Sequence, residues 1–419
     1  MGRHIDHRGG SVNVVAIPRE IIAVVSKRND GMINLFNADE QYRPFFFSIT
    51  EELPPARIKD YEWRIWTQDR VKGKIIEWYD YARSVVFFQN MYRFSDGSFI
   101  RKFNGANIVV LGDIPQSAGL SSSSALVVAI NLGIVVLNKL RISKRRFVEW
   151  CGMAEWIVGT RGGYGDHAAM MFSRVGKIAN ITTMPLKVRY VSFPRELLIA
   201  VCDSLVKARK SRESKSKFNE KVATYEIALL LFKKKFPEYG KRVKIFRDLI
   251  PENMGVKLED YYEILKEIPE AISRNEVMSN LSENAEFLST LFKEHEEPKE
   301  GYKVRGVMLF GVSEIERAKI APLMISKDPV RFGTMMNISH NADREYKYVE
   351  GEKVKWINDC SNEYLDNLIR KLKEKQNEES CQLYMQSGDY GCGHEKTDLI
   401  VDLATSVNGV LGAEIVGAG

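Results

Sequence analysis

The first half of the chain alternates short apolar, β-branched runs with turns rich in glycine and polar residues. Such runs predict strands, and the helical spacing of apolar residues from Trp66 to Met91 predicts one long helix among them. A long apolar helix is predicted after residue 121, to about Leu140, and another after Ser143, a predicted N-cap. The predicted strands are SVNVVAI, EIIAVVSK, MINLFN, FFFSI, GANIVVLG, GKIANITTM and KVRYVSF.

The pattern changes after the last of these strands. Charged amphipathic helices are predicted through Ile250 and on to Lys299, and strands alternating with helices are expected to resume near YKVRGVMLFG. A chain of 419 residues exceeds what one hydrophobic core usually supports. We therefore expect two domains, residues 1–192 and residues 193–419.

Composition and charge narrow the classes of protein. The chain is 44% hydrophobic and 28% charged, which is typical of a globular enzyme, and its five cysteines form no CxxC pair that would indicate a zinc site or a disulfide framework. A net charge of +6 suits a phosphate-bearing ligand or an ordinary solvated surface. The basic runs RISKRR and KARKSRESKSK make the chain only mildly basic, so we do not expect nucleic acid as a partner. We expect a cytoplasmic protein without a membrane partner, because no apolar run reaches about 18 residues.

The stretch DIPQSAGLSSSSALVVAINLG places four consecutive serines where a helix begins. A helix start presents unpaired N–H groups and partial positive charge, which together attract phosphate. Gly119 permits close approach, and the hydroxyls of Ser121 to Ser124 add donors and possible Mg²⁺ ligands. An ordinary N-cap would need only one serine. The chain has no GxxxxGK[ST] motif, so this is not a Walker loop.

Four motifs together resemble the GHMP superfamily of small-molecule kinases, and its galactokinase branch in particular. PQSAGLSSSSAL resembles the second motif, PxxxGLSSS, and MGRHIDHRGG resembles the sugar signature GEHTDYNGG. GTRGGYGDHAAMM is similar to the catalytic segment GxxCGxMDQ, and NGVLGAEIVGAG to the third motif, PGVxGxxxxGxG. The resemblance implies an α+β, two-domain fold with an N-terminal ribosomal-S5-like domain and a C-terminal ferredoxin-like domain.

The resemblance implies an ATP- and Mg²⁺-dependent sugar kinase with Asp166 as the catalytic carboxylate. It implies Ser123 and Glu155 as the metal ligands, although Glu155 also suits a solvated helix face. Trp78 would stack on the adenine, and plain core packing explains it equally well. The cofactor-binding residues implied are Gly119, Leu120, Ser121, Ser122, Ser123, Ser124, Trp78, Gly417 and Gly419.

The substrate residues implied by the resemblance depart from the family pattern. Arg3 replaces the glutamate of the sugar signature, and Phe218 replaces a family tyrosine, so one pocket hydroxyl is lost. A guanidinium would suit a carboxylate at C6 of the sugar, or it would face solvent or a phosphate. We expect galactose or galacturonate to be phosphorylated at the anomeric C1 hydroxyl. The full substrate set implied is Arg3, His4, Asp6, Gly163 and Phe218.

The motif alignment also predicts a chain truncated at both ends. Met1 aligns just before the glycine of the sugar signature, and Gly419 falls within the third motif. Weak catalysis and exposed sheet edges are then expected. The alternative is a non-catalytic, galactokinase-like regulator that binds sugar and ATP, and we expect a monomer or a weak homodimer in either case.

Overall fold

The computed structural model describes residues 1–58, 60–72, 74–92, 102–206 and 212–417. The strands are β1 (Ser11–Val15), β2 (Ile21–Arg28), β3 (Met32–Asn37), β4 (Phe45–Ser48), β5 (Gly105–Gly112), β6 (Lys177–Thr182), β7 (Lys187–Ser192), β8 (Tyr346–Val349) and β9 (Glu352–Lys355). The helices are α1 (Asp60–Val71), α2 (Ser84–Tyr92), α3 (Ser122–Leu137), α4 (Lys144–Glu155), α5 (Gly165–Phe172), α6 (Arg212–Lys235), α7 (Pro237–Gly240), α8 (Pro251–Met254), α9 (Leu258–Lys266), α10 (Arg274–Asn280), α11 (Ala285–Phe292), α12 (Val304–Lys327), α13 (Pro329–Asn341), α14 (Asn362–Lys373) and α15 (Glu395–Ser406). None of these helices is both long and apolar enough to cross a bilayer.

The chain divides into two compact units, and one of them is discontinuous in sequence. The middle unit is Val15–Val175, and the split unit joins Met1–Val14 to Gly176–Gly419. The reason lies in a three-stranded sheet of order β1-β6-β7, which ties residues after 176 to the first strand of the chain. The division therefore differs from the expected boundary near residue 193, because a strand partner so distant in sequence leaves no local signal.

The middle unit is built on a four-stranded sheet of order β2-β5-β3-β4. β2 pairs antiparallel with β5, from Ile21 opposite Gly112 to Arg28 opposite Gly105, whereas β3 runs parallel to β5 and antiparallel to β4. The apolar helix α3 packs on β2, where its Gly133 lies against Val25. Each of the predicted strands of this unit is present. Their alternating apolar residues specify them locally.

The helix predicted from residue 66 to residue 91 is instead two helices. α1 ends at Val71, and a 3₁₀ turn at Trp78–Arg83 precedes α2. The turn is capped at its start, because the backbone N–H of Glu77 donates to Asp80 at 2.8 Å. The sequence did not reveal the break, because apolar residues keep helical spacing on both sides of it. Ser143, in contrast, caps α4 as predicted, and its hydroxyl accepts from the N–H of Arg146 at 3.3 Å.

The split unit is mostly helical around one buried core, which includes Phe232, Tyr261, Leu309 and Phe310. Its longest described helices are α6 and α12, and α12 is buried along most of its length. The strand expected near YKVRGVMLFG is therefore wrong, since VRGVMLFG is the first part of α12. A continuous apolar run fits a buried strand and a buried helix equally well. The short strands β8 and β9 form an antiparallel hairpin.

One close backbone approach in the split unit requires glycine. A Cβ atom at Gly333 of α13 would lie 2.0 Å from the carbonyl oxygen of Leu411. Since backbone cannot yield as a flexible side chain does, we expect Gly333→Ala to lower the free energy of unfolding by roughly 2 kcal/mol. Urea denaturation followed by circular dichroism measures this. Thr334→Ala, at the exposed neighbouring position, is the control, and equal stabilities of the two variants would contradict the packing argument.

Candidate functional site

The loop before α3 has an unusual backbone. Ser117, Gly119 and Ser121 all take left-handed conformations, with φ of 55°, 72° and 56°. Such values are uncommon for a residue with a side chain, so the two serines hold a shape that the sequence does not favour locally. The loop therefore depends on its surroundings for its shape. Strained positions of this kind cluster at binding sites.

The start of α3 is not an ordinary capped helix. Within the described residues, the Ser121 side chain makes no capping hydrogen bond, although Ser121 occupies the N-cap position. The first backbone bond of the helix runs from the N–H of Ala125 to the carbonyl of Ser121, at 3.0 Å. The N–H groups of Ser122, Ser123 and Ser124 lie before that bond. These donors, together with the helix dipole, suit an anion.

Glu155, the last residue of α4, connects the serine turn to the start of α5. Its Oε2 atom accepts a hydrogen bond from the hydroxyl of Ser124 at 2.8 Å and lies 2.9 Å from Nε2 of His167. Asp166 is the preceding residue, in the first turn of α5, and it is exposed. The structure therefore brings the segment of Asp166 to the serine turn, and the serine hydroxyl that contacts Glu155 there is that of Ser124.

Ser123 contacts a residue that the sequence did not single out. Its hydroxyl shares a hydrogen bond with Tyr81, which lies in the 3₁₀ turn that also contains Trp78. Burial and the nearby Glu155 charge raise the pKa of Tyr81, so this phenol stays protonated. Trp78 packs edge to face on Tyr42, with ring centroids 5.7 Å apart. Trp78, which the resemblance assigns to the adenine, therefore packs in an aromatic cluster. It lies three residues before Tyr81, which contacts Ser123 of the serine turn.

Hydrogen bonds from Arg161 and Trp156 hold the glycine-rich segment before Asp166 in place. The buried guanidinium of Arg161 donates to the hydroxyl of Thr67 and to the carbonyl of Trp156, each at 3.1 Å. The Trp156 indole in turn donates to the carbonyl of Gly162 at 3.1 Å. Gly163, a predicted substrate residue, follows directly. These bonds fix the path of the backbone that leads into α5.

Arg3 lies in a buried charge network of the split unit. Its guanidinium donates to Asp343 at 2.6 Å and to the carbonyl of Ser339 at 2.8 Å, and its Nε lies 3.8 Å from Glu414. Burial would raise the pKa of Asp343, but Arg3, His4 and the backbone N–H of Cys392 together outweigh burial and hold that pKa below its ordinary value. The guanidinium expected to read a sugar carboxylate is therefore already paired with carboxylates of the protein.

His4 belongs to the same network. Its ring stacks on Tyr390 with centroids 4.2 Å apart, and its Nε2 lies 3.5 Å from Asp343. Asp6 lies elsewhere, 3.3 Å from Nδ1 of His7, whose ring is 6.3 Å from that of Phe218. Arg3 and His4 thus share Asp343, whereas Asp6 and Phe218 each lie against His7.

The remaining predicted residues carry less information. Gly417 takes a left-handed conformation, with φ of 78°. Gly419 and the first residues of KARKSRESKSK lie outside the described residues. Sequence reasoning missed Tyr81, Ser124 as the partner of Glu155, and His167. The available signal for His167 was its place directly after Asp166, where the family segment has glutamine.

Comparisons with known proteins find a kinase domain family and several galactokinases that are similar to parts of this chain. Residues 84–174 match the family model of the GHMP kinases N terminal domain. A galactokinase of Roseiflexus sp. (strain RS-1) is 28% identical over 205 residues, which cover 49% of this chain and 46% of that protein. For a galactokinase of Chloroflexus aurantiacus the identity is 27% over 259 residues, which cover 61% of this chain and 57% of that protein.

The chain is galactokinase-like: it is similar to galactokinases over about half its length, and its residues 84–174 match the GHMP kinases N terminal domain. This galactokinase-like chain spans about half the length of the curated relatives that it matches. Among solved structures, Lactococcus lactis galactokinase complexed with galactose superposes with a TM-score of 0.57 at 18% identity, covering 100% of this chain and 80% of that one. That likeness confirms the α+β, two-domain fold of the galactokinase-like chain.

The Arg3 network predicts a loss of stability when its cation is removed. Arg3→Met leaves Asp343 buried without its guanidinium, so we expect the free energy of unfolding to fall by about 3 kcal/mol. Chemical denaturation of the galactokinase-like chain checks this. The control is Arg331→Met, a more exposed arginine of the same unit. A change in sugar preference at unaltered stability would instead assign Arg3 to the substrate.

The same network predicts a dependence of stability on pH. Burial would raise the pKa of Glu314, but the positive charges of Arg317, 2.7 Å away, of the amino terminus and of Arg3 together outweigh burial and lower the pKa to about 2. A carboxyl whose pKa is lower in the folded state contributes stability above its ordinary pKa of 4.5 and loses it as the pH falls towards 2. Glu314→Gln should therefore flatten the decline of stability over that range. Glu300→Gln, an exposed change, should leave the slope as in the parent chain.

Proposed function

We propose that the chain is an ATP- and Mg²⁺-dependent sugar kinase that transfers the γ-phosphoryl group to the C1 hydroxyl of a galactose-like sugar. The observation that carries the proposal is the Glu155 carboxylate, which links the serine turn to the helix that contains Asp166. Phosphoryl transfer requires donors for the phosphates and a carboxylate at the acceptor hydroxyl, held in fixed geometry. Candidates for both lie in the middle unit, and the contacts of Glu155 with Ser124 and His167 support assigning them to one site.

The phosphates would bind at the start of α3. The unpaired first-turn N–H groups, the hydroxyls of Ser121 and Ser122, and the backbone at Gly119 and Leu120 provide donors without a lysine. The nucleotide base would lie towards the aromatic cluster of Trp78. A tight turn of small residues lets the backbone come close to the phosphate oxygens.

The oxygen ligands here fit Mg²⁺ bound together with a nucleotide. Glu155 offers one carboxylate, 12% exposed, beside the serine hydroxyls, and Mg²⁺ commonly takes one or two carboxylates together with substrate phosphates. In the described ranges no group of three or more acidic, histidine or cysteine side chains could hold a metal ion by itself. The bound ion would supply neutralisation of phosphate charge.

Asp166 is the residue that would act on the sugar. Its carboxylate is exposed at the first turn of α5, and the Arg161 and Trp156 hydrogen bonds fix the backbone that leads to it. From that position it would orient the acceptor hydroxyl and accept its proton. No other predicted site residue of the middle unit combines a carboxylate with exposure.

For the sugar, the charge network favours a neutral hexose over a uronic acid. The Arg3 guanidinium lies among Asp343, Glu414 and Glu314, so a sugar carboxylate there would meet three others. Asp6, which contacts His7, is a better candidate for a sugar hydroxyl. The curated relatives named above are galactokinases, which supports galactose as the first sugar to test.

A second candidate function is a regulator that binds sugar and ATP without turnover. Two departures from the family pattern favour it: Arg3 of the sugar signature forms a salt bridge within the protein, and Phe218 lacks the hydroxyl of the family tyrosine. Retention of an exposed Asp166 opposes it. ADP release with galactose, galacturonate and other hexoses separates the two: sugar and ATP binding without ADP release supports the regulator.

Asp166→Asn is the direct test of the kinase. Removing a positioned base typically costs about 10²–10⁴-fold in rate, so turnover should fall at least 100-fold while ATP binding stays within about 2-fold. A coupled ADP assay and titration calorimetry measure the two quantities. Asp39→Asn, at an exposed loop position of the same unit, should leave both unaltered. Full turnover by Asp166→Asn would refute the assigned role.

A further inference from the structure

His167 is a buried side chain whose contact the proposed reaction has not yet used. It is 2% exposed, and its Nε2 lies 2.9 Å from Oε2 of Glu155, the oxygen that also accepts from Ser124. Within the described part of the chain its Nδ1 has no hydrogen-bond partner. Burying a histidine nitrogen without a hydrogen-bond partner costs folding free energy, so such a nitrogen in a native structure calls for an explanation. The contact of this ring with Glu155 suggests one.

The contact of His167 with Glu155 is close but not yet aligned. The 2.9 Å separation is an ion-pair distance, while the direction of the ring N–H falls outside hydrogen-bond geometry. Contacts at catalytic sites often align only when the ligand is bound. The imidazole cannot reach solvent, so any effect it has on a ligand passes through Glu155.

We propose that His167 is a positioning residue, which orients the Glu155 carboxylate towards the Mg²⁺ that accompanies the nucleotide. The inference rests on the proposed function. The Ser124 hydroxyl and the His167 ring approach the same carboxylate oxygen, so together they set the direction of the other oxygen. Residues that hold a metal ligand from behind typically alter metal affinity by about 10- to 100-fold when they are removed.

Two substitutions separate positioning from packing. His167→Phe keeps a planar ring of similar size and removes both nitrogens. His167→Gln keeps an N–H donor at a similar distance from the backbone. Glutamine is also the residue that the family segment GxxCGxMDQ has at this position. If His167 positions Glu155, His167→Gln should retain the Mg²⁺-dependent nucleotide affinity that His167→Phe loses. A packing role predicts that the two variants fail alike, or that Phe is tolerated better.

The experiment is titration calorimetry with the non-hydrolysable nucleotide AMP-PNP, in Mg²⁺ and in EDTA. For His167→Phe we expect the Mg²⁺-dependent gain in AMP-PNP affinity to shrink about 10-fold, with affinity in EDTA unaltered. His167→Gln should restore that gain to within about 3-fold. In steady-state assays the Mg²⁺ concentration at half-saturation should rise for His167→Phe, with kcat at saturating Mg²⁺ little altered.

Controls and outcomes distinguish this inference from the proposed function. His295→Phe, at a buried histidine that contacts Tyr302 in the split unit, should match the parent chain in every measurement. If the parent chain binds no AMP-PNP, the proposed function itself is overturned. If it binds AMP-PNP and His167→Phe shows the same Mg²⁺ dependence as the parent, only the positioning role fails. Equal losses in His167→Phe and His167→Gln overturn that role as well.

Discussion

A single carboxylate holds together the start of α3, the end of α4 and the start of α5. Glu155 is largely buried, and a buried carboxylate is tolerated only when its oxygens are hydrogen-bonded or paired. Ser124 and His167 meet that requirement from two different helices. Burial, together with the nearby Glu155 charge, raises the pKa of Cys151 and of Tyr81, so both of these neighbours stay protonated. The relative placement of the serine turn and Asp166 follows from this arrangement.

The split unit also buries charged side chains, in a larger network of paired charges. Asp343, Glu314 and Arg317 are almost fully buried, and each is matched by an opposite charge. Removing one member of such a network leaves an uncompensated charge, so the members constrain one another. Arg3 is one of these members, although it occupies a position of the sugar signature. A residue that the fold requires in this way is poorly suited to bind a variable sugar carboxylate as well.

The sequence predicted the strands of the middle unit and the start of α3, because alternation and a polar helix start are local patterns. It did not predict the break between α1 and α2, since apolar residues keep helical spacing on both sides of Trp78–Arg83. It also assigned strand character near residue 302, where α12 is buried along most of its length and shows no amphipathic period. The pairing of β1 with β6 and of Arg3 with Asp343 joins residues far apart in sequence, so no local pattern reveals either. The serine turn was recognisable from the sequence as a candidate site, but the contact of Tyr81 with Ser123 and that of His167 with Glu155 were not predictable.

Two serines of the middle unit show why the turn before α3 is more than a helix cap. Ser143 precedes α4 in an extended conformation, with φ of −66° and ψ of 149°, and its hydroxyl caps the helix. Ser121 occupies the same position before α3, yet its backbone is left-handed. A left-handed residue other than glycine costs about 1–2 kcal/mol, and a missing cap costs about 1 kcal/mol more. The chain could avoid both costs with the geometry it uses at Ser143. An anion bound to the first N–H groups of α3, as in the proposed function, would offset these costs.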